Sequence, residues 1–132
     1  MHQIIPRTSV DNIPFGSDIQ TLRAAGYVED ESGFEEITGW RTFKKDDDLE
    51  FYIRDGSVVC AACFKNCCVD GVAMIGQLPT ELLYALGDPD EIGDAIWVTD
   101  ERQQTPYEYF ALGLQFWIES DRVVSVFCND AY

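Results

Sequence analysis

The chain contains one histidine, only nine basic residues and no uninterrupted apolar run of membrane-spanning length. Each shortage removes a class of function. With His2 as the sole imidazole, a Cys–His or Ser–His nucleophile would have to recruit a residue at a loose chain end, so nucleophilic catalysis of that kind is not expected. Nine bases stand against 24 acids, for a net charge of −15. The imbalance deepens along the chain: residues 1–66 hold twelve acids and seven bases, residues 67–132 twelve acids and only Arg102 and Arg122. Such a surface repels nucleic acid and anionic lipid, whose phosphates require Lys and Arg. It attracts a basic protein and speeds the encounter in a salt-dependent way, although acidity for solubility alone accounts for the same composition. Without a long apolar run there is no membrane span. The start Met1-His2-Gln3-Ile4-Ile5-Pro6 lacks the features of a signal peptide, which points to the cytosol.

Metal and cofactor chemistry also lack their usual signatures. Cys60-Ala-Ala-Cys63 is followed by Cys67-Cys68, but there is no second CxxC pair to complete a zinc knuckle. A strand would also point Cys60 and Cys63 to opposite faces. The strand-to-helix turn of a redox CxxC is missing as well, so the five cysteines read as reduced, apolar packing groups. The acid runs Asp46–Asp48 and Asp88–Asp94 lie beside turn residues and read as solvated loops. The second has the acid density of a calcium loop without its order. No metal, no cofactor and no enzymatic activity are expected.

What is present is repetition. Leu49-Glu50-Phe51-Tyr52-Ile53 recurs as Leu114-Gln115-Phe116-Trp117-Ile118, Val58-Val59 as Val123-Val124, and Cys63 as Cys128, always 65 residues apart. Upstream, Val10-Asp11-Asn12-Ile13 matches Val69-Asp70-Gly71-Val72, and Leu22–Gly26 matches Leu83–Gly87. A periodicity of this kind signals two copies of one supersecondary unit. In the first, Ser17 reads as the N-cap of a short helix over 18–25 that Gly26 stops. Gly33–Ile37 reads as a loop, and strands follow at Trp40–Lys44, Leu49–Arg54 and Ser57–Phe64. Asp55-Gly56 is a strong type I′ hairpin signal. In the second, Pro79 opens a helix to about Leu86. Strands then follow near Ala95–Thr99, Tyr107–Phe110, Leu114–Glu119 and Arg122–Cys128. The expected fold is therefore α+β: two tandem pseudo-symmetric repeats, about 8–66 and 67–130, each a short helix and an antiparallel β-meander. They share one core in a single domain over 1–132.

Alternation within the strands leaves a surface. Gln115, Trp117 and Glu119 face away from Leu114, Phe116 and Ile118, and Trp97 alternates against Ile96 and Val98. Tyr107 and Tyr109 share one face of their strand. Rigid aromatics among acids have the makeup of a protein-binding patch. The expected contact set is Asp88, Asp90, Glu91, Asp94, Trp97, Tyr107, Tyr109, Trp117 and Glu119.

The second half carries a resemblance. Val-Asp-Gly-Val with Ile-Gly (69–76), Thr-Glu-Leu-Leu…Leu-Gly-Asp-Pro-Asp (80–90), Gly-Leu-Gln-Phe-Trp-Ile (113–118) and Arg-Val-Val-Ser-Val (122–126) together resemble the BLIP/SmpA-like helix–meander unit. The same phrase is similar to small acidic immunity proteins encoded beside bacterial polymorphic and contact-dependent toxins. The first half departs from the pattern by lacking Gly-Asp-Pro after its helix. The resemblance implies a non-enzymatic, cytoplasmic protein that neutralises a cationic toxin, such as a nuclease, or alternatively a structural or assembly module that binds another protein.

Overall fold

A computed structural model describes residues 1–130, all but residues 33–35 with their side chains. Its organising units are two hairpins. The first joins β6 (Leu49–Arg54) to β7 (Ser57–Cys63), the second β13 (Leu114–Glu119) to β14 (Arg122–Asn129). Asp55-Gly56 turns the first with φ of +53° and +79°, and Ser120-Asp121 the second with +50° and +60°. Both turns are thus left-handed at both central positions, matching the twist of the strands they join. Leu49 pairs with Cys63, Phe51 with Ala61 and Tyr52 with Cys60; in the second hairpin Leu114 pairs with Cys128, Phe116 with Val126 and Trp117 with Ser125. Each hairpin carries one bulge, between Tyr52 and Ile53 and between Trp117 and Ile118. Register, bulge and turn coincide at the offset of 65.

β7 and β14 lie side by side, antiparallel, with Ala62 opposite Phe127 and Cys63 opposite Val126. Ala62 and Phe127 are themselves 65 apart, so exchanging the two hairpins leaves this junction unchanged. The large sheet grows outward from there. On one side come β5 (Trp40–Lys44) and β4 (Val28–Glu35); on the other come β12 (Gln103–Tyr109) and then the short β10 (Glu91–Ile92) and β11 (Ile96–Trp97). A second sheet is built from β1 (His2–Ile5), β2 (Ser9–Val10), β3 (Ile13–Pro14), β8 (Cys67–Val69) and β9 (Val72–Ala73), in the order β3-β2-β1-β8-β9. Its only parallel pairing sets His2 against Cys67 and Ile4 against Val69. The helices are α1 (Ile19–Ala24) and α2 (Pro79–Leu86).

One core joins these parts. Phe43, Leu49, Phe51, Ile53, Leu114, Phe116 and Val126 of the large sheet pack with Ile4, Val10 and Val69 of the small sheet and with Leu22 and Leu82 of the helices. The small sheet and both helices therefore cover one face of the large sheet. Each docks through its preceding loop onto the hairpin bulge: Gly16 donates to the carbonyl of Val58 at 2.8 Å, and Gly76 to that of Val123 at 2.8 Å.

Several sequence expectations need correction. The helix cap is Asp18, whose carboxylate accepts from Thr21 N at 2.9 Å, because its chain is long enough to reach back while Ser17 bonds Pro14 O instead. Residues 28–35, part of which reads as a loop, pair with β5 as an edge strand. The small sheet escapes sequence analysis because strands of two to four residues show no periodicity. The strand expected over Ala95–Thr99 is only Ile96–Trp97, and that expected over Tyr107–Phe110 runs instead over Gln103–Tyr109. After β12 the chain turns at Gly113 (φ +64°), where a Cβ would lie 2.3 Å from Asn129 O. Arg7 locks this corner by donating to the carbonyls of Phe110, Ala111 and Asp130.

All five cysteines are free and buried. Burial pushes the Cys60 thiol up to about 12. The Cys67 thiol is raised by its hydrogen bond with Cys63 and then by burial, and that of Cys128 chiefly by burial. Unfolded thiols ionise near pH 8.5, so above that value the unfolded chain binds fewer protons than the folded one and stability falls as pH rises. The expected result is a thermal midpoint that declines between about pH 9 and 12, with a shallower decline in Cys60→Ala. Thiol titration should find five reactive groups after denaturation and almost none before it.

Candidate protein-binding face

The opposite face of the large sheet is where the polar alternates of the hairpins point. Glu50 and Tyr52 come from β6, Cys60 and Ala62 from β7, Ser125 and Phe127 from β14, and Gln115, Trp117 and Glu119 from β13. No helix packs on this face among the described residues. Its aromatic rings shelter one another. Trp40 lies 5.7 Å from Tyr52, Tyr52 stacks on Phe127 at 6.4 Å with planes 10° apart, and Phe64 meets Phe127 edge-on at 6.1 Å. This row roofs the small side chains beneath it, so Thr42, Cys60 and Ser125 are buried although they lie on the outer face.

At the β12 end, the segment 95–102 rises over the sheet. Its tip is held by Val98 N donating to Arg102 O at 2.9 Å and by Thr99 Oγ1 accepting from Arg102 N at 3.1 Å. Between this segment and the aromatic row lies a groove of about 450 Å³, lined chiefly by Ile96, Val98, Trp117, Val124, Phe127 and Phe64. Polar side chains order its wall. Trp117 Nε1 donates to Gln115 Oε1 at 2.7 Å, and Gln115 Nε2 donates to Glu108 Oε1 at 2.5 Å. Arg102 Nη2 donates to Glu119 Oε1 at 2.9 Å, and Gln104 Nε2 to the same oxygen at 2.9 Å. The Arg102 guanidinium, and next the Gln104 amide, hold the Glu119 carboxyl below the ordinary carboxylate range.

The structure divides the residues expected to bind a partner. Trp97 is 65% exposed, but it pairs with Gln103 and so takes the Tyr107 and Tyr109 side of β12, while its neighbours Ile96 and Val98 turn into the groove. Trp117 and Glu119 are half-buried at the groove itself. Asp88, Glu91 and Asp94 are exposed, Glu91 opposite Glu108 on β12. Asp90 has a structural task, since its Oδ2 accepts from Phe110 N at 2.7 Å. Tyr107 and Tyr109 point the other way, into the core. Tyr109 is 4% exposed, meets Phe116 edge-on at 5.6 Å and donates to Gly87 O at 3.0 Å. The reason is register: Tyr107 pairs with Phe116 and Tyr109 with Leu114, and paired residues share a face. Burial, then the charges of Asp88, Tyr107 and Asp90, push the Tyr109 phenol up to about 12. Sequence reasoning missed Trp40, Phe64 and Phe127. The alternation of 123–128 against the hairpin register carried the signal for Phe127.

No family model matches the chain, and no curated protein or solved structure matches it either. No helix among the described residues is long and apolar enough to cross a membrane.

Proposed function

We propose that this chain is a non-enzymatic protein inhibitor built from two copies of one helix–meander unit, and that its outer sheet face binds and neutralises a cationic protein in the cytoplasm. In its most concrete form the partner is a toxin such as a nuclease and the chain is its immunity protein. The observation that carries the reading is the outer face. A solvent-facing sheet surface with an apolar groove, walled by the Trp117 indole and edged by carboxylates, combines a desolvated anchor with a charged edge. The net charge of −15 supports a basic partner, since carboxylates at the rim stand in for the phosphates that a nuclease would otherwise hold. The raised thiols of Cys60, Cys67 and Cys128 stay protonated near neutrality and make poor nucleophiles, which also favours binding over chemistry. The shared register, bulge and turn of the two hairpins support descent of both from one unit.

The test is to recover the partner from the native host, purify it and measure both rate constants at low and high salt. Association should slow as salt screens charges beyond about 8–10 Å. It should slow likewise when Asp88, Glu91 and Asp94 are reversed to Lys together, with dissociation nearly unchanged. Recovery of an acidic partner, or association indifferent to salt, would count against inhibition of a cationic protein. A housekeeping or envelope partner would favour the assembly-module alternative.

A further inference from the structure

The residue that sequence analysis sets aside as a loose end is held firmly. His2 sits in β1, its backbone N donating to Asn66 O at 2.6 Å and its strand paired with β8. Its ring is fixed from one side: Nδ1 bonds Asp11 Oδ2 at 2.5 Å, while Asp11 Oδ1 accepts from Gln3 N at 2.7 Å. Asp11 lies in the tight β2–β3 turn at φ +49°, so the carboxylate that orients the ring is itself immobilised. With Nδ1 engaged by Asp11, Nε2 is the ring nitrogen left for a further partner. Nε2 faces the turn between β5 and β6, where Asp48 Oδ2 is 3.8 Å away. Asp46 completes the set, with one ligand atom from each of His2, Asp46 and Asp48 lying within 4.8 Å of the others. Asp48 is anchored by its own carbonyl, which accepts from Phe64 N at 2.8 Å.

We propose that His2, Asp46 and Asp48 form a binding site for a divalent transition-metal ion, with zinc the best fit and Asp11 as the residue that positions the imidazole. Three arguments support it. The Asp46 and Asp48 carboxylates gathered beside Nε2 concentrate negative charge that a bound cation offsets. One imidazole nitrogen and two carboxylate oxygens are the donors that zinc, cobalt and manganese accept, with water in the remaining positions. An imidazole whose second nitrogen donates to a carboxylate is the usual outer support of a histidine ligand. The His2–Asp48 spacing suits the bond lengths too, and Asp46, exposed on its turn, has only to close in from within 4.8 Å. Two bonds of about 2.1 Å to one ion permit a donor separation up to about 4.2 Å, and the observed 3.8 Å lies inside that limit. The competing cation is Lys65, whose Nζ is 3.8 Å from the other Asp48 oxygen and leaves Oδ2 to the metal. The site joins β1 to the β5–β6 turn, so occupancy should raise the thermal midpoint. It is far in kind from the aromatic face and independent of the partner reading.

The experiment uses the full chain without a histidine tag, titrated with Zn²⁺ and with Co²⁺. The chain has one histidine, so the ring nitrogen signals of His2 report directly on the unmodified protein. The expected result is saturable binding of one ion, a shift at Nε2 of His2, and cobalt absorption without thiolate-to-metal charge transfer. His2→Ala and Asp48→Asn should each weaken binding at least tenfold, and Asp11→Asn by about tenfold, as loss of outer support does elsewhere. Asp94→Asn should leave it unchanged. The proposal fails if the ring signals do not move with zinc, or if the ion binds equally well to His2→Ala. A thiolate charge-transfer band, which would place the metal on the cysteines, overturns it as well.

Discussion

Phe51→Ala and Phe116→Ala each lower the unfolding free energy by about 3–5 kcal/mol, the usual cost of emptying a buried phenylalanine site. Both rings are wholly inaccessible to solvent. Each sits mid-hairpin and meets a tyrosine edge-on, Phe51 with Tyr27 at 5.0 Å and Phe116 with Tyr109 at 5.6 Å. A domain of this size has about 5–15 kcal/mol in total, so either change removes a large part of it. Because the two sites are equivalent in register and each ring packs edge-on against a tyrosine, their costs should agree within about 1 kcal/mol. Combined, they should leave the chain unfolded. Urea denaturation followed by circular dichroism measures both. One variant losing under about 1 kcal/mol while the other collapses would break the equivalence of the hairpins.

Trp117→Ala should speed dissociation of the partner about 30-fold or more, corresponding to at least about 2 kcal/mol, while changing association little. Its indole forms part of the groove wall and its Nε1 is already fixed on Gln115, so it enters an interface ordered in advance. Tyr109→Phe is the matched control. It deletes a hydroxyl bonded to Gly87 O in the core and should lower stability by about 1 kcal/mol without altering either rate constant. Surface-binding kinetics on both variants separate the two faces of the sheet. Equal off-rates for Trp117→Ala and the parent chain would remove the groove from the interface.

The sequence disclosed the hairpins because each rests on local signals that coincide: strict alternation at Leu49, Phe51 and Ile53 and a turn of residues that tolerate positive φ. The 65-residue offset then carried the same assignment to Leu114, Phe116 and Ile118. The small sheet was illegible because its strands are two to four residues long, and its one long-range pairing, His2 with Cys67, leaves no local trace. That blindness hid the site at His2, which draws on three distant segments. Tyr107 and Tyr109 were assigned to the wrong face for a related reason. Alternation shows which residues share a face but not which face is buried, and only the register against β13 decides that. Trp117 and Glu119 were legible because Phe116 and Ile118, between and beside them, are apolar enough to settle the direction.

Hydroxyl-radical footprinting of the free chain and of its complex tests the central claim most directly. Trp117 reports on the groove, and Tyr84, 95% exposed on α2, reports on the covered side of the molecule. The account predicts that partner binding suppresses oxidation of Trp117 and leaves Tyr84 as reactive as before. Protection of Tyr84 with Trp117 unchanged would contradict it, and would move the interface to the helical side.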